Sequence, residues 1–221
     1  MKEAAQIHHD FLAATLSEKT FEKLELDDPN EEDEDQKMIR MGYKYNLFKL
    51  KADMIVCVRC QINSYTVNAN GEKEYNNLFV LPEWNEKRQG WSANLDASAT
   101  TMLTKEITDN SSKFSRWTMQ SLMDGVDKMK FAFIQRDGSS TQNHKVVGFQ
   151  AIATKAFATQ INLNVPNCWA VLKDVIETVQ QQEESHAEYL YLKEPLQVQY
   201  TLRRLVNDDN EDEESSEDDG L

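Results

Sequence analysis

Residues 70 and 71 read Asn-Gly, and this dipeptide restricts the fold more sharply than any other in the chain. A tight turn needs positive φ, which glycine takes without steric cost. The runs on either side, Ile62 to Val67 and Glu74 to Leu81, are extended in character. Together they predict an antiparallel hairpin. A second hairpin is expected from Lys128 to Arg136 and Lys145 to Ala153, around the polar loop Asp137 to Asn143. Tyr43 to Gln61 reads as one or two strands. Glu188 to Lys193 and Leu196 to Leu205 read as two short closing strands.

Helical periodicity separates these runs. Ala4, Ile7, Phe11 and Ala14 recur at spacings of three and four, which predicts a helix over 3–16 with one apolar stripe. Asp96 is placed to cap a helix reaching about Ile107. A further helix is expected from about Ser112 to Met123, with Phe114, Trp117 and Leu122 inward and Gly125 as its stop. Pro166 opens another, to about Gln182, carrying Trp169, Leu172, Val175, Ile176 and Val179. There is no internal repeat. Hairpins interspersed with helices make an α+β class, with mixed and antiparallel sheets and packed helices.

The formal charge of −14 is unevenly placed. Asp27 to Asp35 holds seven acids and no base, and Asn207 to Leu221 holds nine and none. Setting both aside leaves 22 of the 38 acids against 24 bases, a net of +2. The segment 27–37 is expected to be an acidic loop and 207–221 a disordered tail, with a folded domain over 1–206. Because binding depends on a local patch, the low overall pI does not exclude RNA. No apolar run approaches the ~18 residues that span a bilayer. The N-terminus has neither a continuous apolar stretch nor a small-residue cleavage site, so no signal peptide is expected. This reading makes the chain soluble and intracellular, with no membrane partner.

Cys57 and Cys60 have CxxC spacing, which invites a redox or zinc reading. The run Met54 to Val58 instead looks like a buried strand, where residues three apart point to opposite faces. No second CxxC and no finger-spaced histidine pair follows, so no metal or other cofactor is expected. His8, His9, His144 and His186 are scattered, and no nucleophile elbow or P-loop occurs.

Several stretches carry a family resemblance. They are Glu3-Ala4-Ala5-Gln6-Ile7-His8-His9-Asp10-Phe11, Ile55-Val56-Cys57-Val58-Arg59-Cys60 and Leu81-Pro82-Glu83-Trp84-Asn85. The most specific are Asp109-Asn110-Ser111-Ser112-Lys113-Phe114-Ser115-Arg116-Trp117 and Phe157-Ala158-Thr159-Gln160-Ile161-Asn162-Leu163. In order and spacing they resemble the D subunit of eukaryotic translation initiation factor 3, over the C-terminal half of its cap-binding domain. The resemblance runs from Glu3 to the acidic tail. The earlier half of that domain has no counterpart here, which makes the chain a fragment, a truncated product or one half of a split subunit.

The resemblance implies a fold like that of decapping exoribonucleases, which bind divalent metals through clustered carboxylates. The acid-apolar-acid triplet of those nucleases matches Gln61-Ile62-Asn63, where amides replace both acids. The acid-apolar-lysine motif matches Glu106-Ile107-Thr108, where only the acid remains. One carboxylate is a poor two-metal site, so a metal-dependent decapping nuclease is disfavoured and no catalytic residue is assigned.

In the family, the helix matching 3–16 contributes to cap recognition. The positions carried over are Ala5, His8 and His9; His9 keeps the family pattern, while Ala5 and His8 depart from it. A histidine stacks on a base or donates a hydrogen bond, which suits the flat, cationic cap. The plainer reading is two histidines on the polar side of an amphipathic helix. Arg59, Lys113 and Arg116 are candidates for RNA phosphates, the last two three residues apart on one helix face. Their plainer reading is a solvated surface or an ion pair. Trp84 and Trp91 are read as core residues. Ser215 and Ser216 each have an acid three residues on, which suits phosphorylation by an acid-directed kinase.

The expected function is a non-catalytic, cytoplasmic initiation factor subunit. Its expected partners are capped mRNA, other initiation factor 3 subunits and the small ribosomal subunit. A structural or docking subunit without cap binding of its own is the alternative.

Overall fold

The sheet that organises this chain is buried on both faces at its two central strands, and their sequences say why. The computed structural model describes residues 2–15, 43–83, 91–137, 143–182 and 187–205. Within it, β4 (Lys73–Pro82) and β5 (Lys128–Arg136) run parallel at the centre of a four-stranded sheet ordered β3-β4-β5-β6. The outer strands β3 (Ser64–Val67) and β6 (His144–Ala153) pair antiparallel with them. Leu78-Phe79-Val80-Leu81 and Phe131-Ala132-Phe133-Ile134 are continuous apolar runs, the pattern of strands covered on both sides. Alternation then sorts them. Phe79, Leu81, Met129, Phe131 and Phe133 face one cluster, and Leu78, Val80, Ala132 and Ile134 face the other.

Three helices contribute to the first cluster: α2 (Trp91–Asp109), α3 (Ser111–Asp124) and α4 (Thr154–Gln160). They insert Leu103, Phe114 and Phe157. The Phe131 ring lies 5.7 Å from Phe114 and 5.1 Å from Phe157, and Trp117 stacks on Phe79 at 4.5 Å. Offset aromatic packing of this kind adds to plain area burial. The second cluster is covered by one helix, α1 (Lys2–Thr15), through Ile7, Phe11 and the partly buried Leu12. Ala4 and Ala14 are exposed, so the inward stripe is narrower than periodicity predicts.

Both predicted hairpins form. Gly71 adopts φ +80 in the β3–β4 turn, and Asn68 closes it by accepting from the backbone N–H of Asn70 and Glu72. A separate two-stranded hairpin, β1 (Lys44–Lys51) with β2 (Met54–Cys60), resolves the run 43–61 into two strands. Asn46 Nδ2 ties it to α3 by donating to the Met123 carbonyl at 2.8 Å. Phe48 meets Trp169 with ring centroids 4.8 Å apart. The run Met54–Val58 is not the buried strand expected of it, because its hairpin leaves one face uncovered: Ile55 and Cys57 point outward, and Cys57 exposed with Cys60 buried stand on opposite faces.

Two element starts lie well away from expectation, and one helix is additional. Helix α2 begins at Trp91 rather than at Asp96, because the Glu83 carboxylate accepts the Trp91 N–H at 3.0 Å and so caps the helix from outside it. Trp91 also sets its ring edge-on to Phe133 at 5.3 Å, the core role expected of it. Helix α4 was not expected at all. The last strand starts at Thr201 instead of Leu196, whose φ of +68 and full exposure belong to a turn.

The chain divides into two compact units, Met1–Trp169 and Ala170–Leu221. Helix α5 (Val165–Gln180) spans the division. The second unit contains the hairpin β7 (Glu188–Leu192) with β8 (Thr201–Leu205), and Tyr200 donates to the Asp174 carboxylate there. The acidic segment 27–37, Trp84, His186 and the tail with Ser215 and Ser216 lie outside the described residues.

Candidate functional site

Helix α1 is fixed on one side and open on the other. Its inner side holds Ile7 and Phe11 in the second cluster. Its first turn is fixed by a charge cluster. Glu3 accepts two hydrogen bonds from Arg136, Nε to Oε1 at 2.7 Å and Nη2 to Oε2 at 2.6 Å. The His144 ring nitrogen lies 3.1 Å from the same Oε1. This is the paired geometry in which a guanidinium binds a carboxylate most strongly. Arg136 first, then His144, holds the Glu3 carboxyl down at about 2. Glu3 therefore stays ionised, and the Arg136–His144 end of the β5–β6 hairpin sets where α1 starts.

The outer side carries Ala5, His8 and His9, all exposed. His8 and His9 follow Ala5 by three and four residues, so the three share one helix face. The His9 side chain is 79% exposed, with Nδ1 3.4 Å from Asp10 Oδ1. Gln6 donates to that same oxygen at 2.7 Å. Partial desolvation lowers the His8 pKa below its usual value. At neutral pH this favours an uncharged imidazole, a flat ring with one donor and one acceptor.

The three cations predicted for RNA phosphates sit elsewhere. On β2, the Arg59 guanidinium lies over the Tyr43 ring at 4.6 Å. Lys113, near the start of α3, is half-buried. Its Nζ stands 5.2 Å from the Trp117 ring and 5.4 Å from Phe114. Burial lowers its pKa, opposed by attraction to Glu106. Burial likewise raises Glu106, whose Oε2 accepts from Asn110 at 3.2 Å. Lys113 thus spends part of its charge on the rings beneath it, while Arg116 is exposed. The structure brings Lys113 and Arg116 onto one helix, and places Arg59 on a strand of a different sheet.

The positions matching the nuclease ligands have other partners. Asn63 Oδ1 accepts the Leu78 N–H at 3.0 Å, joining the β2–β3 connection to β4. The Gln61 backbone donates to Asp124, a buried carboxyl that also receives Asn77 Nδ2 at 2.8 Å. Among the described residues no three His, Cys, Asp or Glu side chains converge as a metal site needs. Nor is any helix among them long and apolar enough to cross a membrane. Glu3, Arg136 and His144 were missed by sequence reading. Arg136 and His144 follow Glu3 by 133 and 141 residues, and no local pattern joins them to it.

Fold and site together define a mixed-sheet α+β domain with a histidine-bearing helix on its open side. The chain belongs to the family described as Eukaryotic translation initiation factor 3 subunit 7 (eIF-3), which matches residues 1–202. It is 31% identical over 227 residues to the D-2 subunit of initiation factor 3 from Drosophila willistoni, covering 98% of this chain and 41% of that protein. The D-1 subunit of Drosophila persimilis is 31% identical over 201 residues, 87% of this chain and 37% of the relative. The chain thus spans about two fifths of the length of these relatives. Among solved structures, Rai1 of Scheffersomyces stipitis, in complex with (3′-NADP)+ and calcium ion, aligns with 72% of this chain and 39% of its own. The identity is 15% and the TM-score 0.43.

Proposed function

We propose that this chain acts in translation initiation as part of initiation factor 3 in the cytoplasm, binding the mRNA 5′ cap and adjacent RNA without catalysing a reaction. Its partners on this reading are capped mRNA, other subunits of the factor and the small ribosomal subunit. Family membership supports the setting. The observation that carries the cap reading is the outer face of α1. Ala5, His8 and His9 are exposed together on a helix whose other side is fixed by Ile7, Phe11 and the Glu3–Arg136 pair. A small residue beside two imidazoles leaves room for a flat base to lie on the helix. A neutral His8 stacks without repelling the cationic cap, and His9 offers a ring nitrogen for hydrogen bonding. Exposed Arg116 supplies phosphate affinity that reads no sequence.

The test is binding of labelled capped and uncapped RNA of one sequence across a salt series, repeated with His9→Ala. A preference for the cap that disappears in the variant supports the reading. Equal, salt-sensitive binding to both RNAs would reduce this chain to general phosphate contacts. Absence of binding to either would favour a docking role.

A further inference from the structure

The β1–β2 hairpin exposes one face that the cap reading leaves unexplained. Alternation and register put Tyr45, Leu47 and Lys49 of β1 beside Arg59, Cys57 and Ile55 of β2 on that face. The inward face already has its partners in Met123 and Trp169. The outward face is open: Tyr45 is 61% exposed, Leu47 70% and Ile55 63%. Tyr43, just before β1, is exposed too and sits under the Arg59 guanidinium at 4.6 Å. With Tyr43 the face combines two tyrosines, two aliphatic side chains, Cys57 and two cations, and none of its six strand positions is an acid.

We propose that this outer hairpin face is a stacking platform for single-stranded RNA, distinct from the α1 face and resting on the RNA-binding reading above. Charge and spacing favour this occupant. A face whose strand positions carry two cations and no carboxylate complements a polyanion; the acid of the hairpin turn, Asp53, stands against Lys51 at 3.6 Å. Tyr43 and Tyr45 are two residues apart, and a strand advances roughly 3.4 Å per residue. Tyr43 precedes β1 by one residue, and extended backbone through it would separate the two residues by about 7 Å, a spacing that successive splayed bases of an extended strand can match. The Arg59 plane over Tyr43 prolongs the stacking surface, and Lys49 lies further along the same row, where the phosphates would run. A second copy of the chain fits poorly, because an isologous contact would bring Arg59 and Lys49 of both copies together without an acid.

The experiment measures uncapped single-stranded RNA, a fluorescein-labelled mixed-sequence 12-mer, against wild type, Tyr45→Ala, Tyr45→Phe and Arg59→Ala, with the capped oligonucleotide in parallel. Tyr45 is exposed, so its removal leaves the core intact, and a thermal melt of each variant checks this. Tyr45→Ala is expected to weaken uncapped binding by about 10-fold or more, and Tyr45→Phe to retain it, because the ring rather than the hydroxyl stacks. Arg59→Ala should reduce the slope of log affinity against log salt by about 0.7. Cap preference, the ratio of the two affinities, should survive all three. Wild-type affinity for uncapped RNA that all three variants retain would overturn the platform while leaving the α1 reading standing. Failure of the wild type to bind either RNA would overturn both. Loss in Tyr45→Phe equal to that in Tyr45→Ala would also reject stacking.

Discussion

Replacing Phe11 by Ala should release α1 without unfolding the domain beneath it. Phe11 is buried with Ile7 among Leu78, Val80, Ala132 and Ile134. Burying two such side chains stabilises the docked helix by ~3–6 kcal/mol. Truncating a buried Phe costs ~3–5 kcal/mol, and the residual 9% exposure of Phe11 argues for the lower end, ~3 kcal/mol. Half or more of the docking energy is then gone. The larger cluster around Phe131 includes no residue of α1, so it has no reason to loosen. A helix of 14 residues is marginal once undocked. Amide hydrogen exchange, read by mass spectrometry, should therefore accelerate in 6–15 by ~100-fold. Exchange at Phe131 and Phe133 should change by no more than a few-fold. Equal loss of protection in α1 and β5 would refute the argument, since the two clusters would then form one cooperative unit. Unchanged exchange in α1 would refute it from the other side, placing the docking energy outside Phe11.

Three further outcomes follow from named groups. Glu3 has its pKa depressed from 4.5 to about 2, so the stability it lends is present above about 4.5 and lost as pH falls towards 2. Exchange protection in α1, measured against the intrinsic rate at each pH, should fall across that window, and Glu3→Gln should abolish that fall. Asp124 is the opposite case: burial raises its pKa, so the neutral form suits the folded state. Its contribution is complete below the unfolded value of 3.8 and declines as pH rises through the folded one. Asp124→Asn should flatten that part of a urea stability profile against pH. Gly125 ends α3 at φ +70, and a Cβ there would lie 3.8 Å from Asn46 Nδ2, an ordinary contact. Gly125→Ala should therefore cost ~1–2 kcal/mol in urea unfolding through the backbone alone.

What the sequence made legible was local. Asn70-Gly71 announced its turn, Gly125 its helix stop, and the runs 128–136 and 145–153 their hairpin. Cys57 and Cys60 could be assigned to opposite faces from strand geometry alone. Features set by distant residues were not legible. The start of α2 depends on Glu83, eight residues before Trp91. Helix α4 has seven residues, too few to show a period. The outer face of α1 could be picked out, but the groups that fix the helix could not, because Arg136 and His144 are brought to Glu3 only by the fold.

The parallel pairing of β4 with β5 also has a consequence for how this chain is made. Asn76 pairs with Lys128, 52 residues later, whereas β5 meets β6 across a short connection. At ~5–20 residues per second a ribosome needs ~3–10 s to supply the partner of β4. For that interval Leu78, Phe79, Val80 and Leu81 emerge without the strand that will shield their edge. The nascent chain is then most prone to aggregate, and a helper that holds apolar segments would be needed before β5 arrives rather than after the domain is complete.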